Sequence, residues 1–188
     1  MNTSKSVAII GGGELAREFQ RVFSNKYTID IIGHSQLDIT YRDACDNIID
    51  ELLKYDVIII TVGILSENLW DVWMTNTVGP CYLTSVLNQH NLGQQIIVVS
   101  SFGASWTSWP GIDTDRLTYN TSKLALNEFL NGLTQQGSSQ NKISVFEPSK
   151  FKTHLSNYQG AELLDVVVEL EKIIDNPLHI THIVVKGS

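Results

Sequence analysis

Tyr119 and Lys123 stand four residues apart in Tyr119-Asn120-Thr121-Ser122-Lys123, a stretch that reads as the start of a helix, so both side chains share one face. A phenol with an ordinary pKa of about 10 is a poor proton donor or acceptor at neutral pH unless a fixed positive charge stabilises its phenolate. An ammonium one turn away supplies such a charge. The pair could move a proton on and off an oxygen, provided a substrate and a hydride carrier lie beside it. Tyr and Lys also occur at this spacing on helices where the ring packs and the ammonium is solvated. What the rest of the chain brings to these two side chains therefore decides their meaning.

The elements that must position them alternate between two kinds. Ser6-Val7-Ala8-Ile9-Ile10 is a short continuous apolar run that fits a strand buried on both faces. Gly11-x-Gly13-x-x-Ala16 follows, and Leu15, Phe19, Val22 and Phe23 then carry a helical period. Strand, glycine turn and helix form the context a dinucleotide requires: Gly11 permits the tight turn, Gly13 lets backbone approach a pyrophosphate, and small Ala16 lets helix pack on strand. The free amides of Glu14 and Leu15 would face the phosphates. Thr28 to Ile32 reads as the second strand. It ends at Gly33-His34-Ser35, about 20 residues past the glycine turn, where an adenosine ribose lies. His34 and Ser35 could accept a 2′-phosphate, which favours NADP, while Asp38 keeps NAD open.

A helix carrying Ala44, Ile48, Ile49, Leu52 and Leu53 precedes an apolar strand from Asp56 to Thr61, and Thr61-Val62-Gly63 closes it. A helix over Leu69 to Gln89 holds Asn76 and a proline, Pro80, that should bend it. The strand Ile96 to Val99 ends in Ser100-Ser101, and a loop with Trp106 and Trp109 leads to the Tyr119 helix. That helix ends at a polar turn, Gln136 to Ser139. A strand at Lys142 to Phe146, an irregular stretch from Pro148 to Gly160, a helix from Ala161 to Ile174 and a closing strand from His182 to Val185 complete the order. The expected fold is α/β: a three-layer Rossmann arrangement with a doubly wound, mostly parallel sheet of about six to seven strands. Residues 1–188 read as a single NAD(P)-binding domain. Ligands should lie at the carboxyl ends of the strands, where the glycine turn, His34, Gly63, Ser101 and Pro148 fall along one edge.

The bulk properties narrow the partners. A chain of 188 residues with a net charge of −7 and only 13 Lys and Arg has no basic stripe for nucleic acid. Cys45 and Cys81 have no metal-ligand spacing, so no metal is expected. With no apolar run near 18 residues and no signal segment, the expectation is a cytoplasmic protein with no membrane contact.

Taken together, these motifs resemble the short-chain dehydrogenase/reductase family over nearly the whole chain. Tyr119-x-x-x-Lys123 resembles its catalytic Y-x-x-x-K, Ser101 its catalytic serine, and Asn76 in Asn76-Thr77-Val78-Gly79 the helix asparagine of its tetrad. Asp38-Ile39 resembles the Asp-Val pair near the adenine, Thr61-Val62-Gly63 stands for the usual Asn-Asn-Ala-Gly, and Pro148 to Thr153 resembles the P-G-x-x-x-T segment beside the nicotinamide. The glycine turn departs from the family's T-G-x-x-x-G-x-G, Ser149 replaces a glycine, and the substrate lid is nearly absent. The second strand passes directly to Leu37-Asp38-Ile39-Thr40, an economy resembling the reductases that make dTDP-rhamnose. The resemblance implies hydride transfer between NADP, or NAD, and a small carbonyl or alcohol. Tyr119 would be the acid/base, Lys123 would lower its pKa and hold the nicotinamide ribose, Ser101 would orient the carbonyl, and the Asn76 backbone would hold a water. Tyr119, Lys123, Val62, Gly63, Pro148 and Thr153 would also contact cofactor, and Trp106 and Trp109 could stack on substrate. A homodimer or homotetramer is implied. The alternatives are a non-catalytic NAD(P)-binding sensor or scaffold, and an enzyme acting on nucleotide sugars.

Overall fold

The structure, a computed structural model, describes residues 4–105, 112–136, 140–176 and 183–185. Six strands, β1 (Ser6–Ile10), β2 (Thr28–Ile32), β3 (Val57–Ile60), β4 (Gln95–Val99), β5 (Lys142–Pro148) and β6 (Ile183–Val185), pair in the order β2-β1-β3-β4-β5-β6. Every pairing is parallel. The runs of β3 and, after Gln95, β4 are apolar without alternation because both strands are buried along their whole length, with helices on both sides. Val7, Ile9, Val57, Ile59, Ile97 and Val99 face one layer, formed by α1 (Glu14–Phe23) and α6 (Leu163–Asp175). Ala8, Ile10, Ile58, Ile60, Ile96 and Val98 face the other, formed by α2 (Arg42–Leu52), α4 (Gly79–His90) and α5 (Thr114–Gln135).

The first crossover, through α1, moves outward from β1 to β2. The second, through α2, returns over the opposite face to place β3 on the far side of β1. The chain thus reverses between β1 and β3, and the loops leaving those two strands diverge. A crevice opens at such a reversal. The register, Ile10 beside Ile60 and Ile60 beside Val98, brings the strand ends level along one edge. The last crossover, β5 to β6 through α6, advances in the same direction as those through α4 and α5 but lies on the other face. Its hand is therefore opposite to theirs, an uncommon choice. Pro148 to Ala161, tied back by a parallel bridge between Phe151 and Ala161, carries the chain across the strand ends to that face.

The expected long helix from Leu69 to Gln89 is three segments: α3 (Leu69–Trp73), a π-helical turn (Met74–Val78) and α4. Proline does bear on it, though by a slip of hydrogen bonding rather than a simple bend. Pro80 has no N–H to donate, and the Gly79 N–H reaches back to the Met74 carbonyl, closing a wider turn. Asn76 is carried in that turn. The Tyr119 helix also differs from expectation, since it begins at Thr114, where Asp113 caps the Arg116 N–H at 2.7 Å. Tyr119 therefore stands inside the helix rather than at its start. No helix among the described residues is long and apolar enough to cross a membrane. The expected turn residues 137–139 and His182 lie outside the described residues.

Gly79 lets α4 approach the segment after β2: a Cβ there would stand 2.5 Å from the Ile39 carbonyl oxygen, which is backbone and cannot step aside. Gly79→Ala is expected to lower stability by about 1–3 kcal/mol. The midpoint of urea unfolding measures it, and an unchanged midpoint would show that the helix can shift without loss.

Candidate active site

Two cavities lie along the carboxyl edge of the sheet and share Gly13, Thr61, Val62 and Gly63, so they form one crevice. The first, of about 750 Å³, is lined by Gly11, Gly12, His34, Asp38, Ile39, Tyr41, Ile64 and Trp70 among others. Gly11 has φ +111°, and a Cβ on it would meet Thr61 Oγ1 at 2.6 Å, so the turn after β1 needs glycine there. Its N–H donates to the Ile32 carbonyl (2.9 Å), which ties the turn to the end of β2. Nothing lies within 4 Å of the place a Gly13 Cβ would occupy, leaving the start of α1 open to a ligand. Asp38 accepts from the Thr40 N–H (3.0 Å) and hydroxyl (2.6 Å), and these bonds hold its carboxyl below the usual range against the opposing effect of burial. His34 Nε2 lies 3.6 Å from Asp38. Of the residues expected in this half, Ser35 is exposed and lines neither cavity.

The second cavity, of about 360 Å³, brings together Ser101, Tyr119, Lys123, Pro148 and Thr153 with Glu14, Leu15, Ser100 and Arg116. Ser101 Oγ accepts from the Gly103 N–H (3.1 Å) and is hydrogen-bonded to the Tyr119 phenol. Gly103 has no room for a side chain, since a Cβ would stand 2.5 Å from Asn120 Oδ1. Burial pushes the Tyr119 phenol above its ordinary value, while the Ser101 hydroxyl and then the Arg116 guanidinium pull the other way. Lys123 is held by the main chain. Its ammonium, 2% exposed, donates to the main-chain carbonyls of Val62 (3.2 Å) and Val99 (3.1 Å), at the ends of β3 and β4. Burial without a carboxylate partner lowers its pKa to about 8. Gly63 packs against it, at a distance where a Cβ would lie 3.4 Å from Lys123 Nζ, in van der Waals contact.

Asn76 lines neither cavity. It is fully buried behind Gly63, where its amide accepts from the Ile64 N–H (2.8 Å) and donates to the Ile64 carbonyl (2.9 Å) and Ser122 Oγ (3.2 Å). Ser122 in turn donates to the Tyr119 carbonyl (2.7 Å), and the Thr77 hydroxyl donates to the Ser122 carbonyl (2.8 Å). The π-helical turn thus grips α5 at the residue between Tyr119 and Lys123. Glu14, expected to offer only its amide, also reaches with its carboxylate to the His154 N–H (2.8 Å), joining the start of α1 to the segment after β5. Ser122, Thr77, Ser100 and Arg116 were not singled out from the sequence. Arg116 had a signal, being three residues before Tyr119 and so on the same face; a serine inside a helix or at a strand end has none. Trp106 and Trp109 lie outside the described residues. Among the described residues, no group of His, Cys, Asp and Glu is placed to hold a metal ion, and Cys45 and Cys81 are free and buried.

Neither the protein-family models nor the curated proteins give a match to this sequence. Solved structures do. BdcA in complex with NADPH superposes with a TM-score of 0.79 at 16% identity, over 98% of this chain and 94% of that one. A short-chain dehydrogenase from Burkholderia cenocepacia in complex with NADP gives 0.78 at 13% identity, over 97% and 90%. A dTDP-4-dehydrorhamnose reductase from Bacillus anthracis in complex with NADP gives 0.75 at 17%, over 97% and 75%. At these identities the likeness shows the fold: this chain has the three-layer Rossmann fold on which those proteins are built, as expected from the sequence.

The depressed pKa of Lys123 sets a pH dependence. Unfolded, a lysine holds its proton up to an ordinary 10.5; folded, Lys123 releases it near 8. Between those values the unfolded chain binds more protons, so this residue's contribution makes stability rise with pH, and below about 8 the buried charge is a constant cost. Urea unfolding of the protein without added cofactor, run from pH 7 to 10, is expected to show a rise that Lys123→Met lacks. Parallel curves for the two proteins would show that the ammonium is not desolvated.

Proposed function

We propose that this chain is an oxidoreductase of the short-chain dehydrogenase/reductase kind, using NADP or NAD to transfer hydride to or from a small carbonyl or alcohol. The observation that carries this reading is the convergence of a hydrogen-bonded Ser101/Tyr119 pair and a desolvated Lys123 ammonium in a cavity continuous with the cleft over the glycine turn. The residues present fit a nicotinamide dinucleotide. The open start of α1 suits a pyrophosphate, Tyr41 and Trp70 offer aromatic faces to an adenine, and Lys123, Pro148 and Thr153 line the end where a nicotinamide ribose would lie. The adenosine half contains Asp38 and Asp71 and neither Lys nor Arg, so a 2′-phosphate there would have His34 as its one cationic partner. NAD is therefore as well supported as NADP.

When bound, the cofactor supplies or takes the hydride. In the reducing direction, Tyr119 gives its phenolic proton to the substrate oxygen as hydride reaches the carbon. Its raised pKa keeps that proton in place at neutral pH. Ser101, fixed by the Gly103 N–H, hydrogen-bonds the same oxygen, so a donor stands ready as negative charge develops. The Ser101 hydroxyl, which faces the phenol before substrate arrives, turns its one proton to the substrate oxygen, and the phenolate left behind is stabilised by the Arg116 charge. Lys123 contributes a fixed cation beneath the site and holds β3 and β4 together through Val62 and Val99. Asn76 acts through Ser122 and Ile64 to set the position of the α5 backbone. The reading includes a single domain over residues 1–188 and a homodimer paired through the helices of Asn76 and Tyr119, where Val78, Leu117 and Phe129 are exposed. A nucleotide-sugar ketone as substrate is a second reading, favoured by the likeness to a dTDP-4-dehydrorhamnose reductase.

Tyr119→Phe removes the proton donor and little else. With any carbonyl that wild-type protein reduces, this variant is expected to lose turnover by about 10²-fold or more while retaining cofactor affinity. Stopped-flow oxidation of NADPH measures the rate, and undiminished turnover would remove Tyr119 from the chemistry.

A further inference from the structure

The charges along the crevice are unevenly placed. The adenosine half has carboxylates and no Lys or Arg, whereas the catalytic half is lined by Arg116, Lys123 and Lys150 against one carboxylate, Glu14. This cationic end belongs to a chain with 20 Asp and Glu against 13 Lys and Arg. Three of the four charges are already committed: Lys123 to two carbonyls, Lys150 to the Gln159 side chain (2.7 Å), and Glu14 to the His154 N–H. Arg116 is different. Among the described residues its guanidinium has no hydrogen bond and no ion pair; Asp113 accepts from the Arg116 backbone N–H rather than from the side chain. It is half-buried, lies in the cavity wall one turn before Tyr119, and shares that residue's helix face. An arginine fork without a partner, beside a proton donor, is arranged to receive a planar or tetrahedral anion by two parallel bonds.

We infer that the substrate is a carbonyl or alcohol carrying its own anionic group, a carboxylate or a phosphate monoester, which Arg116 holds while Ser101 and Tyr119 engage the reacting oxygen. This inference rests on the oxidoreductase reading and names its substrate class. Arg116 is thereby a specificity-determining residue. Its position about one helical turn from Tyr119 places the anion a few bonds from the reacting carbon. The glycine turn that suits a pyrophosphate lies chiefly in the adenosine half, which Gly11 and Gly12 line and Arg116 does not.

The test uses probes that need no turnover. Benzoate, phenyl phosphate and neutral benzamide are titrated into the full-length protein by calorimetry, each with and without saturating NADPH. One of the two anions is expected to bind at least about tenfold more tightly than benzamide. Arg116→Gln should bring that ratio to within about twofold, and Arg116→Lys should restore part of it. Preference for benzoate assigns a carboxylate, and preference for phenyl phosphate assigns a phosphate ester. Equal binding of all three probes, failure of both anions to bind, or a preference that survives in Arg116→Gln overturns the inference. Absence of NADPH binding would count against the oxidoreductase reading alone, because the anion preference is also read without cofactor.

Discussion

A lysine ammonium held out of water by two main-chain carbonyls is the constraint around which the site is arranged. Removing a charge of that size from water costs several kcal/mol even after local relaxation, and among the described residues Lys123 has no carboxylate to offset it. What it has are the carbonyl ends of β3 and β4, at Val62 and Val99, which bring two strand ends together around one cation. Gly63 packs beside the ammonium, and α5 must hold its register for the stem to point there. The cost persists in the folded protein, as the lowered pKa of Lys123 records. Strongly perturbed groups of this kind cluster at functional sites, which is what supports the proposed role of Lys123.

The register of α5 is secured from behind. The π-helical turn inserted where Pro80 withholds an N–H presents Asn76 to two places at once, the Ile64 backbone after β3 and the Ser122 hydroxyl on α5. Ser122 passes that hold to the Tyr119 carbonyl. A helical irregularity thus fixes the loop that forms the floor of the crevice and the helix that carries its polar groups. Each bond is modest alone, about 1 kcal/mol net. Breaking one inside this buried chain would leave a partner unsatisfied, which costs more.

Much of this was legible beforehand. The strands around β1 and β3 announce themselves because parallel strands buried on both faces read as unbroken Val and Ile runs, and the glycine turn announces itself because a positive φ at Gly11 demands glycine. Ser101, Tyr119 and Lys123 could be placed together because each follows a strand or lies on one helix face. The direction in which Lys123 points could not. Spacing sets it near Tyr119, but the carbonyls that claim it come from strands that are remote in sequence. The π-helical turn was likewise hidden, since the slip of hydrogen bonding depends on how closely Gly79 packs on Ile39 as well as on Pro80. The opposite hand of the last crossover leaves no pattern in its own residues. Arg116 was within reach of the same spacing argument applied to Tyr119, and its meaning emerged only when its lack of a partner could be seen.

Whether the crevice takes a nicotinamide dinucleotide is read by titrating the purified protein with NADPH and with NADH while following nicotinamide fluorescence. Saturable binding of at least one in the micromolar range is predicted, with the ratio of the two affinities reporting how His34 and Asp38 treat the 2′ position. Binding of neither would leave the Rossmann fold in place and contradict the account of what its crevice is for.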